Sequence, residues 1–429
     1  MKYAHPPKDL FVKNRKNLSK LMKPVSLAVF HSNDIAPTSA DGIRPFIQQT
    51  DIFYLCGIDQ EETILLLFPD CQDKKHREIL FIKETSELIA IWEGHKHTKE
   101  EASEISGIDT VYWLSDFDTV LISLVFEAEN IYLNTNEHVR VEIEVETRDS
   151  RFIRICKERF PLHNYERIAP IMRYLRAIKS QHEITAIQTA CNITEKAFRR
   201  VLEFVKPGVW EFEIEAEVVH EFIRNRSRRP AYDSIIASGA SSCILHYISN
   251  DRQCKDGDLL LMDFGCEYAN YAADLTRTIP VNGKFTHRQK DVYNAVLRVQ
   301  KKAIEMLVPG NCFKDYQKEI SLEIEKELID LGLLETQKVK EQNSEQPLYR
   351  KYFMHGVSHH LGLDVHDYGS SKRKFEAGMV LTCEPGIYIK EENIGIRIEN
   401  DILITNEGPI DLMKNIPREV EEIEEIMNT

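Results

Sequence analysis

MDFGCEYANYAADLTRT, running from Met262 to Thr278, sets two carboxylates, Asp263 and Asp274, where strands are expected. Asp263 follows the apolar run Leu259 to Met262, which reads as a buried strand, and Asp274 opens Leu275 to Pro280, a second stretch of strand propensity. Ala269-Asn270 lies between them as a turn. The odd separation of the two aspartates around a two-residue loop puts both on one face of a hairpin, because the pleat has a period of two. Two anions so placed repel, and burying them is costly. A divalent cation is the simplest remedy. The alternative is that both are turn-forming aspartates at loop ends, the commonest use of that residue.

The rest of the set lies downstream: His355-Gly-Val-Ser-His359 with His366, then Glu384-Pro-Gly-Ile-Tyr388, then Gly395-Ile-Arg397-Ile-Glu399-Asn-Asp401. Glu384 and Glu399 again lie an odd distance apart, on two β-like runs around the polar turn Lys390 to Asn393, so the hairpin logic repeats. What precedes each hairpin repeats as well. Ser180-Gln-His-Glu183 is a capping-box pattern that opens a helix with Ile184, Ile187, Cys191, Phe198, Val201 and Leu202 at helical spacing, ended by Pro207-Gly208. Thr286-His-Arg-Gln289 opens a second with Val292, Val296 and Val299 inward, ended by Pro309-Gly310. A further amphipathic helix follows each Pro-Gly, at Glu211 to Arg224 and Lys314 to Leu331. The plan is an internal duplication, which predicts a pseudo-twofold sheet with four helices outside and the carboxylates of both hairpins meeting at its centre.

Residues 1 to about 165 have a different character. Ser26 to His31, Asp51 to Cys56, Thr63 to Phe68, Glu78 to Ile82 and Asn130 to Leu133 read as strands, and Val12 to Met22 and Asp116 to Glu127 as helices, an α/β domain with no catalytic cluster of its own. The boundary is expected near Phe160 to Ile168, where Pro161 and His163-Asn164 interrupt the pattern. Glu335 to Gln346 reads as an insertion loop and Arg418 to Met427 as a solvated C-terminal helix.

The chain of 429 residues is long enough for two or three domains, and its 42% hydrophobic and 29% charged content is ordinary for a globular protein. A net charge of −14 argues against nucleic-acid and anionic-membrane partners, since phosphate contacts need a basic surface. The one basic cluster, Arg224 to Arg229, reads as a solvated helix end. There is no apolar signal segment at the start and no apolar run of about 18 residues. Nine cysteines without a CxxC pair read as reduced thiols, so a cytoplasmic protein is expected. Cys243, shortly before His246, is the one cysteine considered as a nucleophile.

HGVSHHLGLDVHD, EPGIYI and GIRIEND together resemble the pita-bread metallopeptidases of the aminopeptidase P (Xaa-Pro aminopeptidase) family, and QQTDIFYLCGIDQEETILLL with IWEGHK is similar, less sharply, to that family's N-terminal domain. The resemblance implies an α+β protein, with an N-terminal α/β domain over residues 1–165 and a pita-bread catalytic domain over 166–429. It implies that Asp263, Asp274, His359, Glu384 and Glu399 bind two metal ions, with Asp274 and Glu399 bridging. His360, next to His359, stands where the family commonly has a bulky aromatic residue, and His359 is assigned as the ligand. Oxygen-rich coordination with one imidazole favours Mn²⁺, with Co²⁺ and Zn²⁺ as alternatives.

A bridging water acidified by the two ions is the implied nucleophile, as hydroxide, and Glu384 is the implied acceptor of its proton. His246 and His366 match positions that in the family hydrogen-bond the peptide and shuttle protons, and His355 one that lines the site beside the proline. Arg397 is expected to orient Asp263 or the substrate, and Tyr388 offers a hydroxyl. Selectivity for proline rests on the resemblance, as does an assembly into dimers or tetramers, in which Trp92 would reach a neighbouring subunit's site. HKHT departs from the family's usual sequence after that tryptophan. The runner-up activity is an Xaa-Pro dipeptidase. A binding protein that kept the fold without the chemistry would be expected to have lost ligands, and this sequence has all five.

Overall fold

The computed structural model describes residues 3–370 and 372–429. The chain forms two compact units, His5–Leu175 and Arg176–Thr429, with Tyr3 and Ala4 belonging to the second.

In the first unit six strands, β1 (Ser26–His31), β2 (Ile64–Leu67), β3 (Glu78–Ile82), β4 (Thr110–Trp113), β5 (Asn130–Leu133) and β6 (Asn164–Arg167), form one mixed sheet in the order β4-β3-β2-β1-β5-β6. β1 to β3 pair antiparallel, while β4, β5 and β6 each join a neighbour in parallel. Leu27, Val29, Leu66, Phe81 and Ile131 from the sheet bury against Leu121, Leu124 and Phe152 from helices Phe117–Glu127 and Arg148–Arg159.

One sequence expectation needs correction here. Asp51 to Cys56 is not a strand but part of helix Thr50–Cys56. The side chain of Gln49 accepts from the N–H groups of Asp51 and Ile52, and Gly57, at φ 70°, ends the helix. Every residue from Asp51 to Cys56 is buried, so hydropathy carries no period from which to tell helix from strand. Two short strands, β4 and β6, were not anticipated. β6 pairs with β5, and the first unit extends to Leu175.

The second unit carries the duplication. Helices Gln181–Phe204 and His287–Glu305 start at Ser180 and Thr286 with complete capping boxes, and helices Glu211–Arg224 and Phe313–Asp330 follow them. The strands are β7 (Ile235–Ser238), β8 (Leu259–Phe264), β9 (Glu267–Tyr268), β10 (Tyr271–Ala272), β11 (Leu275–Pro280), β12 (Val380–Cys383), β13 (Gly386–Ile389), β14 (Ile394–Arg397), β15 (Asn400–Thr405) and β16 (Gly408–Asp411).

The first hairpin keeps a single register from tip to base: Tyr271 faces Tyr268, Leu275 faces Phe264 and Thr276 faces Asp263. Ala269 and Asn270 form its tip with φ of 52° and 66°, the left-handed pair that a two-residue hairpin turn requires. The second hairpin does the same, with Val380 facing Leu403, Cys383 facing Asn400, Gly386 facing Arg397 and Ile389 facing Ile394. Gly265 is required in the first: a Cβ there would lie 1.7 Å from the carbonyl oxygen of Ala273.

Outside the hairpins, the C-terminal helix Val420–Met427 is only partly solvated, because Val420 and Ile423, three apart on one face, are buried. The insertion at Glu335 to Gln346 contains a short helix, Thr336–Glu341. The basic cluster is not wholly solvated either. Arg228 and Arg229 approach Glu267 of the first hairpin at 3.3 and 3.8 Å.

Candidate metal centre

The hairpin registers decide where the carboxylates go. Asp274 stands opposite Gly265, and Asp263 opposite Thr276, so the two aspartates lie diagonally on one face. Glu384 and Glu399 occupy directly facing positions between the paired segments β12–β15 and β13–β14. The hairpins are tied together at this level: the Glu399 N–H donates to the Thr276 carbonyl at 3.0 Å, and Thr276 Oγ1 donates to Glu399 Oε2 at 2.6 Å.

His359 completes the cluster. Its Nδ1 lies 3.0 Å from the His360 carbonyl, which makes Nδ1 the donor and turns Nε2 toward Asp274 Oδ2 at 3.4 Å and Glu384 Oε1 at 3.6 Å. One ligand atom from each of Asp274, His359 and Glu399 lies within 4.8 Å of the others. Burial opposes charge on His359, but the carboxylates of Asp274 and Glu384 outweigh it and hold the ring at about 9. Burial pushes Glu384 up to about 7 and Glu399 well above the usual carboxylate range, with neighbouring carboxylates adding to the rise. Glu399 Oε1 is buried without a hydrogen-bond partner. Clustered carboxylates, one inward-facing imidazole nitrogen and a buried carboxylate oxygen without a hydrogen-bond partner fit a positive ion.

Arg397 sits on one flank. It donates from Nη2 to Asp263 Oδ2 at 2.6 Å, from Nη1 to Tyr388 Oη at 2.8 Å and from Nε to Thr276 Oγ1 at 3.0 Å. Tyr388 Oη in turn lies 2.8 Å from His355 Nε2, and His355 Nδ1 lies 2.8 Å from the Gly356 carbonyl. His355 Nδ1 donates to that carbonyl, and in the neutral ring Nε2 accepts the Tyr388 proton. Burial, with the Arg397 charge beside it, lowers His355 to about 4 and enforces that form. His366 is exposed and stacks edge-on against His359, ring centres 4.2 Å apart. His246, also exposed, follows the turn Gly239–Cys243 and is close enough to His355 to act on its charge. Cys243 is half-buried and burial raises its thiol, so it offers no ready thiolate.

Three residues of the site, Tyr232, Thr276 and Thr382, were missed from sequence, and Asp401 was quoted in its motif without a role. The hydroxyl of Tyr232 lies 2.6 Å from Asp263 Oδ1 and 2.5 Å from Asp274 Oδ1, bridging the two aspartates. Nothing in its loop marks it. Thr276 was findable, since two residues after Asp274 it shares that residue's face. Asp401 accepts from the Asp274 N–H at 3.0 Å and from the Cys191 thiol at 3.4 Å, and Thr382 Oγ1 accepts from the His359 N–H at 3.1 Å.

A duplicated α+β unit with carboxylates from two facing hairpins and one histidine at its centre defines the class of the pita-bread metallopeptidases. Residues 185–406 match metallopeptidase family M24, and residues 11–132 match the aminopeptidase P N-terminal domain. The chain is 37% identical to an Xaa-Pro aminopeptidase of Haemophilus influenzae, over 99% of this chain and 98% of that one. Among solved structures it is similar to a variant of Escherichia coli aminopeptidase P in complex with substrate (33% identity, 99% of each chain, TM-score 0.88). It is also similar to a Zn-substituted form of that enzyme in complex with product (34% identity, 99% of each chain, TM-score 0.87). The chain belongs to metallopeptidase family M24, in its aminopeptidase P branch, as the resemblance of its motifs implied.

Proposed function

We propose that this protein is an Xaa-Pro aminopeptidase that releases the first residue of peptides with proline second, and that catalysis resides in the second unit. The observation that carries this is the buried cluster of Asp274, His359 and Glu399, with Glu384 beside His359 and an uncompensated oxygen on Glu399. In this reading Asp263, Asp274, His359, Glu384 and Glu399 would hold two divalent ions, Asp274 and Glu399 serving both. Oxygen-dominated coordination favours Mn²⁺, with Co²⁺ and Zn²⁺ as alternatives. When bound, the ions supply Lewis-acid polarisation of the scissile carbonyl and make a hydroxide nucleophile available at neutral pH.

The residues do the rest. Glu384, beside His359, accepts and relays the proton of the attacking water. Arg397 holds Asp263 in place and, through Tyr388, fixes the tautomer of His355, whose ring faces the substrate. His246 and His366, both exposed at the site, bind the peptide and pass a proton to the leaving nitrogen. That nitrogen belongs to proline, carries no N–H, and offers no donor to a general peptidase.

The same ligands would serve an Xaa-Pro dipeptidase. Mn²⁺-loaded protein is to be incubated with an Xaa-Pro dipeptide, a longer Xaa-Pro peptide and the matching Xaa-Ala peptide. Release of the first residue from the longer Xaa-Pro peptide alone is expected. A longer peptide left intact beside a cleaved dipeptide would transfer the assignment to the dipeptidases. The reading includes a cytoplasmic location, supported by the free cysteines, and an assembly into dimers or tetramers, supported by the likeness around Trp92. Among the described residues no helix is long and apolar enough to cross a membrane.

A further inference from the structure

We propose that His95, His97 and Glu101 in the first unit hold a divalent transition-metal ion of the Zn²⁺ type. Nothing in the activity proposed above requires this site. Its geometry follows from the local sequence. Helix Glu87–Glu93 ends at Gly94, whose φ of 76° and ψ of −169° suit glycine alone and turn the chain into the segment His95 to Thr98. There His95 and His97 both reach Glu101, while Lys96 pairs with Glu61. Helix Lys99–Ser106 then begins with a capping box: Thr98 Oγ1 accepts from the Glu101 N–H at 3.2 Å, and Glu101 Oε2 accepts from the Thr98 N–H at 2.9 Å. That reciprocal bond curls the Glu101 carboxylate back over the histidines.

As a result, His95 Nε2 lies 3.0 Å and His97 Nδ1 4.0 Å from Glu101 Oε2, and the three ligand atoms fall within 4.8 Å of one another. Donors about 2.0–2.2 Å from a tetrahedral ion are roughly 3.3 Å apart, a spacing that these distances bracket. The His95 side chain is 67% exposed, which leaves the fourth position to water. Two imidazoles and one carboxylate select Zn²⁺, Cu²⁺ or Ni²⁺ over the harder Mn²⁺, the reverse of the oxygen-rich cluster in the second unit. An ion here would fasten the link between the two helices, the first of which exposes Leu88, Ile91 and Trp92.

The test is a count. Full-length protein, the His95→Ala/His97→Ala variant and Glu101→Gln are each equilibrated with micromolar ZnCl₂, freed of excess metal and assayed for zinc. Glu101→Gln keeps the capping bonds, so it serves even where the double variant fails to fold. The wild type is expected to retain one equivalent more than either variant, and anomalous scattering at the zinc edge is expected to show a peak between His95, His97 and Glu101. Equal counts, no peak, or an extra equivalent that needs millimolar zinc would each overturn the assignment.

Discussion

Glu384 and Glu399 face each other across the second hairpin, held by an unbroken register in which Cys383 opposes Asn400 on one side and Gly386 opposes Arg397 on the other. Like charges directly opposed on a ladder are destabilising, and burial makes them more so. The hairpin does not relieve the conflict by splaying, because Glu399 is tied to Thr276 of the first hairpin through both its N–H and its Oε2. The second unit therefore carries a preformed deficit of positive charge at the point where its two hairpins meet.

Removing a carboxylate at that point is expected to remove metal. Asp274→Ala and Glu399→Ala should abolish hydrolysis and lower the bound metal, whereas His366→Ala, which stacks on His359, should keep full metal content and slow turnover by roughly 100-fold. Elemental analysis alongside kcat measurements separates the two patterns. Normal stoichiometry in either carboxylate variant, or a lost ion in His366→Ala, would reverse the ligand assignment.

Tyr232→Phe tests the bridge between the aspartates. Its hydroxyl reaches both Asp263 and Asp274, so its loss leaves their oxygens without the bond that orients them. Metal affinity is expected to fall about 10- to 100-fold, the usual cost of losing a group that positions a ligand, with the thermal midpoint of metal-free protein little changed. Unchanged affinity would make the tyrosine a packing residue.

How far these features were legible depended on whether they left a local period. The odd spacing of Asp263 from Asp274 and of Glu384 from Glu399 carried both hairpins, because a pleat of two converts spacing into facing. Ser180 and Thr286 announced their helices through residues three positions on, and both capping boxes form. Helix Thr50–Cys56 was illegible for the opposite reason: with every side chain from Asp51 to Cys56 buried, neither period shows. Tyr232 was illegible because its importance lies in partners 31 and 42 residues away, to which no local pattern points.

Gly265→Ala is expected to open the first hairpin. The added Cβ would meet the backbone oxygen of Ala273 at 1.7 Å, which no side-chain movement relieves, and overpacking of this kind costs about 3 kcal/mol. Gly208, at φ 98° but with no atom within 4 Å of such a Cβ, is the control, and Gly208→Ala should cost about 1 kcal/mol from backbone strain alone. Urea midpoints of the two variants decide it. Equal losses would mean that the ladder at Gly265 adjusts.

His360 sets an acid limit on the fold. Its ring is buried against Phe313, and burial, with Lys179 nearby, lowers it to about 3. The folded protein thus resists a proton that the unfolded chain accepts at about 6.5. Stability from this residue is fully present above pH 6.5 and is lost as pH falls toward 3, by about 2 kcal/mol between pH 6.5 and pH 5. Replacing the ring with one that cannot titrate should remove this part of the acid sensitivity while filling nearly the same space. His360→Phe is therefore expected to lose less stability than wild type between pH 7 and pH 5. The comparison uses urea unfolding of metal-free protein, so that ligand protonation at the metal centre is not read as folding. Parallel losses in the two proteins would show that His360 takes up its proton in the folded state, and that its burial is less complete than its contacts with Phe313 imply.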